Sequence, residues 1–477
     1  MRVDMGEYLP KEAVSRRITG DTQFMFQFYK PCFQFYKPGD LVNRYMTRDN
    51  LKQSLIVALH ECPLLLGRFK IHDDLSLSLE YDPNNTNTPT LEFQATDLTY
   101  SELETRGFAY SLARQYKMDL PIPDGTISRD FDQPMLMVKV TYFTGGGVAL
   151  FAMTNHVAFD GNAMFSFIAH WARCNQQMLV QQRQQQSIEL PPDLKVYDTS
   201  LISNTNNEPA EGPVEISVDA TKTPTEIITS ITRMVARSNI CANVFSIKTS
   251  SLSKLKQQVA DSGILDQGEW VSSNNVLASF IAQRIAQANM EGQVYEVGSW
   301  KIFQALDMRR PLNLPLHGLG SPIILAECHA SYSEITTPND FPLLAKRIRQ
   351  SIDRYTGEYL QSSMDWMNAS YRKLAENGVR EPWRHFWFTA MNTNTRSVGI
   401  SCMTKIPIYD ADFGAGCPQM ARSFNPRPNY IIVFPGPPTS ANSYDSLHLY
   451  VTLERPAMEA LKSDPLWSSL CSLISEF

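Results

Sequence analysis

The sequence predicts a mixed α/β protein that is divided into two domains. Three observations lead to this prediction: the length of the chain, the alternation of strand-like and helix-like segments, and a polar stretch near the middle. The chain has 477 residues, and chains longer than about 250–300 residues usually split into separate cores. We therefore expect a first domain over residues 1–178, a crossover linker over 179–215 and a second domain over 216–477.

Elements of the first domain follow from hydrophobic spacing. Residues 51–62 carry apolar side chains on one helical face, and Pro63 predicts the end of that helix. The β-rich runs 135–143 and 148–155 are joined by four residues, the last three of them Gly, which predicts a hairpin. Helical spacing then resumes over 162–176.

The second domain shows a similar alternation. A Pro- and Asn-rich polar stretch ends near residue 215 and is typical of a linker. Residues 272–290 begin with Ser and Asn and continue with an amphipathic pattern, which predicts a capped helix. Residues 430–438 and 446–453 predict strands, and the pattern after them predicts a terminal helix.

Composition and charge indicate which classes of protein this chain can belong to. Hydrophobic residues make up 43% of the chain, enough to build sizeable cores. The net charge is −6 and no long basic run occurs, so we expect no nucleic acid partner. No apolar run approaches membrane-spanning length, and the first residues lack the apolar core of a secretory signal. The eight cysteines are far apart in the sequence and form no CxxC pair, which is typical of reduced thiols. We expect a cytoplasmic monomer.

The sharpest chemical motif is TNHVAFDGNAMF over residues 154–165. A β-rich run ends at His156, at the kind of strand end where α/β proteins gather ligands. Its neutral imidazole accepts a proton near pH 7 without tuning, so it is a candidate general base. Asp160 is a candidate to hold the turn by pairing with a cation or by capping the backbone. Gly161 permits a backbone conformation that other residues resist.

Two other interpretations of His156 stay open at this stage. In the first, His156 and Asp160 both bind a metal ion, but no second His or Glu that could complete the site lies within ten residues of His156. A buried histidine with no chemical role is equally compatible with the local sequence.

A second motif, ISCMTKIPIYDADFGAGCP, covers residues 400–418. Its Asp-Phe-Gly triplet occurs in protein kinases, but the kinase catalytic loop and Gly-rich nucleotide loop are missing. An EF-hand is excluded because Ala421 stands at the twelfth position, where calcium loops carry Glu. We interpret the segment as a tight, glycine-dependent structural loop.

Taken together, these segments resemble the BAHD acyltransferase family, in the same order along the chain. Residues 51–69 are similar to an early family helix and its P-L-x-G-R turn, and NHVAFDG matches HxxxDG. Residues 272–288 are similar to a capped helix of the family, 306–322 to its D-x-R-x-R stretch, and IPIYDADFGAG to the DFGWG region. The resemblance implies two similar domains of the chloramphenicol-acetyltransferase kind, with a solvent channel between them.

The activity implied is transfer of an acyl group from acyl-CoA to a hydroxyl or amine of a small molecule. Acyl-CoA is then a co-substrate, and no bound cofactor or metal is expected. By position, His156 matches the general base, and Asp160 matches a structural aspartate that pairs with an arginine. Arg309 is the first candidate for that arginine and Arg310 the second.

Three further residues, Asp412, Gly414 and Gly416, match a structural loop of the family that lies away from the reacting centre. Ser401 matches a Thr or Ser that touches the oxyanion or the acceptor.

The sequence also departs from the family pattern at four positions. Ala415 and Met403 stand where Trp is usual, and the Trp that Met403 replaces shapes the acceptor pocket in many members of the family. Pro311 replaces the second Arg of D-x-R-x-R, and Ser321 replaces the Asn of a Gly-Asn turn. These departures suggest a divergent branch, closer to the acyltransferases of microbial or fungal secondary metabolism than to plant phenolic enzymes.

Competing functional interpretations stay open. A condensation-type domain that joins carrier-bound acyl groups usually has a second His before the catalytic one, and here that residue is Asn155. A non-catalytic small-molecule-binding relative and a zinc hydrolase are the other two alternatives.

Overall fold

A computed structural model of the chain describes the following residues: 10–18, 29–73, 75, 77–121, 134–156, 159–181, 212–213, 216–218, 239–290, 299–316, 318–337, 340–379, 382–388, 396–423, 427–440 and 443–476. Most of the predicted linker lies outside these residues. Its first three positions belong to a long helix that ends at Gln181. Within the described segments, no helix combines the length and apolarity needed to cross a bilayer.

Strands and helices alternate along the chain, which confirms the mixed α/β prediction. The strands are β1 (Val14–Ile18), β2 (Tyr29–Tyr36), β3 (Arg68–Ile71), β4 (Leu77–Tyr81), β5 (Thr90–Thr99), β6 (Leu136–Thr144), β7 (Val148–Asn155), β8 (Ile216–Val218), β9 (Ile240–Lys248), β10 (Ser299–Asp307), β11 (Ile323–Ser331), β12 (Phe386–Phe388), β13 (Ser397–Cys402), β14 (Met420–Ser423), β15 (Tyr430–Pro435), β16 (Pro438–Ser440), β17 (Ser443–Tyr444), β18 (Ser446–Glu454) and β19 (Cys471–Glu476). The α-helices are α1 (Asp40–Tyr45), α2 (Arg48–Glu61), α3 (Tyr100–Thr105), α4 (Tyr110–Gln115), α5 (Gly161–Gln181), α6 (Thr249–Asp261), α7 (Ser273–Met290), α8 (Tyr332–Thr336), α9 (Phe341–Asp353), α10 (Gly357–Glu376), α11 (Arg455–Ser463) and α12 (Pro465–Leu470). Short 3-10 helices cover Pro63–Leu66 and Pro382–His385.

The first half is built on a five-stranded sheet of order β14-β2-β7-β6-β5. The predicted hairpin is confirmed, since β6 and β7 pair antiparallel. Gly145, Gly146 and Gly147 in its turn have φ of +80°, +101° and +90°, values that favour glycine. The edge strand β14 comes from the second half of the sequence and pairs with β2.

The second half is built on a seven-stranded sheet of order β11-β10-β13-β15-β18-β9-β19. Its strands β10, β13 and β15 run parallel to one another, and the remaining pairs are antiparallel. Helices follow β18, as expected, but the sequence analysis did not anticipate β19, which pairs with β9 at the sheet edge.

The seven-stranded sheet presents two different faces. Val398, Ile400 and Val433 pack with the helices of the second half. Ile432 and Phe434 point the other way and belong to a core that continues into the first half of the chain. Side chains on this inner face are therefore enclosed between the two halves.

Candidate functional site

His156 follows the last residue of β7, a strand whose side chains are all buried. The imidazole is half-buried, and its Nδ1 lies 3.1 Å from the Oγ of Ser321. The backbone N–H of Phe159 donates to the carbonyl of Asn155 and closes the turn that carries His156. A buried central strand therefore fixes the start of this turn, and Ser321 holds one side of the ring.

Asp160 and Arg309 form a buried ion pair next to this turn. The Arg309 guanidinium donates from Nη1 to Oδ2 of Asp160 over 2.6 Å and from Nη2 to Oδ1 over 3.1 Å. Arg309 is fully buried and Asp160 is 3% exposed. Two parallel hydrogen bonds between charged groups make this a strong and directional contact.

The remaining hydrogen bonds of Asp160 connect the turn to both of its neighbours. Its Oδ1 accepts from the backbone N–H of Ala163 over 2.8 Å, which caps the first turn of α5. Its own backbone N–H donates to the carbonyl of Gly320 over 2.9 Å. Gly161, the first residue of α5, is buried. Asp160 thus ties the start of α5 to the segment between β10 and β11.

That segment also explains why Arg309 reaches Asp160 and Arg310 does not. Arg309 Nη2 donates to the carbonyl of Gly318 over 3.0 Å, and its Nη1 lies 3.1 Å from Oδ1 of Asp307. These contacts fold the segment around the guanidinium. The side chain of Arg310, one position further, is exposed.

Ser321 is a site residue that sequence reasoning noted only as a departure from a family pattern. It is fully buried beside the imidazole of His156. The signal was present in the sequence, because Ser321 ends the same segment that carries Arg309. The sequence did not indicate that Ser321 would lie against His156, a residue 165 positions earlier in the chain.

Ser401 lies on β13, one strand away from β10, and is 6% exposed. Burial raises the pKa of the Tyr430 phenol on β15, and the hydroxyl of Ser401 is near enough to this phenol to lower the pKa by a smaller amount. Gly399 makes this arrangement possible, because a Cβ there would lie 2.4 Å from the ring of Phe303 and 2.6 Å from that of Tyr430. Sequence reasoning did not identify Tyr430.

The Asp412 loop lies against the other end of α5. Asp412 Oδ1 accepts from the backbone N–H of Gly414 over 2.7 Å and of Gly416 over 2.8 Å. Both glycines have a positive φ, +94° and +89°, which favours glycine. Asn175 of α5 donates to the carbonyl of Phe413 over 2.7 Å. Ala415, where the family has Trp, packs at the edge of the core.

One group of described residues has donor atoms close enough to share a metal ion: Glu61, His170 and Cys174. Nε2 of His170 lies 2.6 Å from a Glu61 carboxylate oxygen and 3.5 Å from the Cys174 sulfur. Zinc ligands lie about 2.0–2.2 Å from the ion, so tetrahedral nitrogen and oxygen ligands sit more than about 3 Å apart. The 2.6 Å separation is that of a hydrogen bond and leaves no room for an ion between the two atoms.

Comparison with known proteins yields a family and a fold. The family model described as the Transferase family matches residues 19–466. Rosmarinate synthase of Plectranthus scutellarioides is 26% identical over 384 residues, which cover 78% of this chain and 77% of that protein. O-acyltransferase pigD of Monascus ruber is 25% identical over 247 residues, half of each chain.

Among solved structures, F. sporotrichioides TRI101 complexed with coenzyme A and T-2 superposes with a TM-score of 0.75 at 18% identity. The match covers 97% of this chain and 100% of that one. At this identity the likeness shows the fold, and it confirms the predicted two-domain architecture of the chloramphenicol-acetyltransferase kind.

Proposed function

The chain belongs to the Transferase family, the BAHD acyltransferases, and from this premise we propose that it moves an acyl group from acyl-CoA to a small-molecule acceptor with His156 as the general base. Acyltransfer itself follows from the family and its relatives. The observation that carries the finer proposal is the placement of His156 at the end of a buried strand, with its ring held by Ser321 and its turn held by the Asp160–Arg309 pair.

The proposed reaction begins when the acceptor oxygen or nitrogen attacks the thioester carbonyl carbon. His156 takes the proton that the acceptor loses, and the carbonyl oxygen becomes an oxyanion. When the carbonyl re-forms, the carbon–sulfur bond breaks and the CoA sulfur leaves as a thiolate. Protonated His156 returns its proton to that sulfur, so the products are the acylated acceptor and free CoA.

Ser321 selects the nitrogen of His156 that performs this work. When Nδ1–H donates to the Ser321 hydroxyl, the lone pair of the neutral imidazole is on Nε2. The base is then Nε2, on the opposite side of the ring from Ser321. In this proposal Asp160, Gly161 and Arg309 act on the turn and the helix start, not on the substrate.

Ser401 is the proposed hydroxyl donor to the oxyanion or the acceptor. It is buried and lies on the inner face of the sheet, since its partner in the register is Ile432 of β15. Loss of a single oxyanion donor costs about 10²–10³ in turnover in other enzymes, which gives the scale of effect expected at this position.

The acceptor is proposed to be an alcohol or amine of secondary metabolism. The name of the Monascus ruber relative favours oxygen acylation, and the coenzyme A in the TRI101 complex favours CoA as the carrier. We further propose that the enzyme works as a cytoplasmic monomer.

Incubation with several acyl-CoAs and a panel of alcohols and amines tests the proposal directly. We expect free CoA thiol and, by mass spectrometry, products heavier by one acyl unit. The reaction should proceed without a carrier protein, which separates this function from a condensation domain. Thiol release that is the same with and without every acceptor would refute acyl transfer.

A further inference from the structure

His448 lies on β18, in a row of side chains that crosses the inner face of the seven-stranded sheet. Phe434 on β15 is its direct partner in the register. Met403 follows β13 at the level of Phe434, since its backbone N–H donates to the carbonyl of Val433. Met403 occupies the position where the family resemblance expects a Trp that shapes the acceptor pocket. His448 is therefore two strands from that position, in the same row.

The row also lies close to the start of α5. The ring of Phe434 packs edge-on against that of Phe165, with centroids 6.1 Å apart. Phe165 is in the second turn of the helix that begins directly after Asp160. His448 is therefore beside residues that contact the helix carrying the His156 turn.

Arg422 of β14 holds one nitrogen of the His448 ring. Its Nη1 lies 3.2 Å from Nδ1 of His448, and both side chains are buried. A guanidinium can only donate, so Nδ1 must accept and the ring proton must be on Nε2. The tautomer of His448 is thereby fixed by its neighbour.

The same contact keeps the ring neutral. Burial, together with the charge of Arg422, lowers the pKa of His448 to about 3. Arg422 also donates to the carbonyls of Ala421 and Gly107 and approaches the hydroxyl of Tyr450. In the part of the chain that the structure describes, no carboxylate pairs with Arg422, so its positive charge stays in place to oppose protonation of the ring.

The second ring nitrogen has no such partner. Among the described residues, His448 is hydrogen-bonded at Nδ1 and not at Nε2, and the residue is 4% exposed. Nε2 is not one of the fully enclosed side-chain atoms that lack a hydrogen-bond partner, so this N–H keeps some accessible surface, and a ligand atom that accepts from it would take the place of water.

We infer that His448 is a specificity-determining residue, which donates a hydrogen bond from Nε2 to an oxygen or nitrogen of the bound acceptor molecule. The inference rests on the proposed function, and it assigns the contact to the acceptor because of the row shared with Met403. It predicts that the acceptor carries a hydrogen-bond-accepting group besides the group that is acylated.

The variant His448→Asn isolates this role. The Asn side-chain oxygen can replace Nδ1 as the acceptor for Arg422, but Asn is too short to replace the N–H at Nε2. We expect the KM for the acceptor to rise about tenfold, with an unchanged KM for acyl-CoA and an unchanged melting temperature. His329→Asn, at an exposed histidine of β11 in the same sheet, is the matched control and should resemble the wild type.

Each outcome decides one question. If the KM of His448→Asn for the acceptor equals that of the wild type, the role of His448 is limited to its contact with Arg422. If only the KM for acyl-CoA rises, His448 contacts acyl-CoA instead of the acceptor. Either result overturns the inference. Failure of the wild-type protein to acylate any acceptor would instead overturn the proposed function and the inference with it. Independently of activity, nitrogen NMR of the imidazole should show the Nε2–H tautomer throughout the pH range where the protein is folded. An Nδ1–H tautomer would contradict the inference.

Discussion

The two ends of α5 carry an aspartate in contrasting surroundings. Asp160 stands just before the helix and pairs with Arg309, a residue 149 positions away in the chain. Asp412 lies in a loop that docks on the other end, and its carboxylate accepts from Gly414 and Gly416 in the same loop. About 20 Å of helix separates the two places, given a rise of 1.5 Å per residue.

The two aspartates therefore have different structural roles, one within a loop and one between distant segments. The Asp412 carboxylate stabilises the shape of its own loop, and the loop then binds α5 through backbone carbonyls. The Asp160 carboxylate joins distant segments and shapes the turn that holds His156. Changes near Asp160 should therefore affect turnover, whereas changes near Asp412 should affect stability alone.

The largest effect is expected at His156 itself. His156→Ala should lower turnover by about 10²–10⁴, the range for loss of a general base, because no other group then removes the acceptor proton. Initial rates of CoA release measure this loss, and thermal melting should be unchanged. His60→Ala, at an exposed histidine of α2, is the control. Equal rates in both variants would show that His156 is not the base.

Asp160→Ala should lower both stability and turnover. Removal of Asp160 takes the bidentate partner from a buried guanidinium that keeps the more exposed Asp307 beside it, and breaking a buried ion pair costs about 3–5 kcal/mol in the free energy of unfolding. Urea denaturation gives this value. The double variant Asp160→Leu with Arg309→Met should lose less stability than Asp160→Ala, since neither charge remains. If the single variant matches the wild type in both measurements, Asp160 does not hold the turn.

Asp412→Ala should lower stability and leave turnover intact. Two backbone N–H groups lose a charged acceptor, at a cost of about 1–3 kcal/mol. Asp412→Asn keeps the shape of the side chain and an acceptor oxygen and should lose less, which separates the contribution of the hydrogen bonds from that of the negative charge. A fall in kcat at a temperature where the variant is fully folded would mean that the two ends of α5 are not separate in function.

The smallest effect is expected at Ser321. Ser321→Ala removes the partner of Nδ1 in His156, so the ring loses its preferred tautomer and kcat should fall about 3–10-fold. Steady-state kinetics across pH measure this change, and the melting temperature should stay close to that of the wild type. An unchanged pH profile and kcat would leave Ser321 as a packing residue only.

Local pattern predicted much of the fold. The helix expected at 51–62 is α2, which begins three residues earlier because the Thr47 side chain caps it by accepting from the N–H of Asn50. The short strand β14 could not be predicted, because four residues carry no clear period and their partner β2 lies nearly 400 positions away. The terminal strand β19 was missed for a similar reason, since only its pairing with β9 defines it.

Part of the candidate site could be predicted from the sequence because two of its residues lie in one short motif. His156 and Asp160 share one motif, so local order was enough to bring them forward as candidates. Ser321, Tyr430 and His448 depend on contacts between segments that are distant in the chain. Nothing in the strand pattern around His448 reveals that an arginine from another sheet will fix its tautomer.

The late position of β14 in the sequence affects how the protein folds while it is being synthesised. Strands β2, β5, β6 and β7 have all been synthesised by residue 155, but the strand that covers the outer edge of β2 begins at residue 420. At a synthesis rate of about 5–20 residues per second, this edge stays open for on the order of tens of seconds. An uncovered edge presents unpaired backbone groups that can recruit strands from other molecules. The nascent first half therefore exposes a strand edge that the finished protein covers with β14.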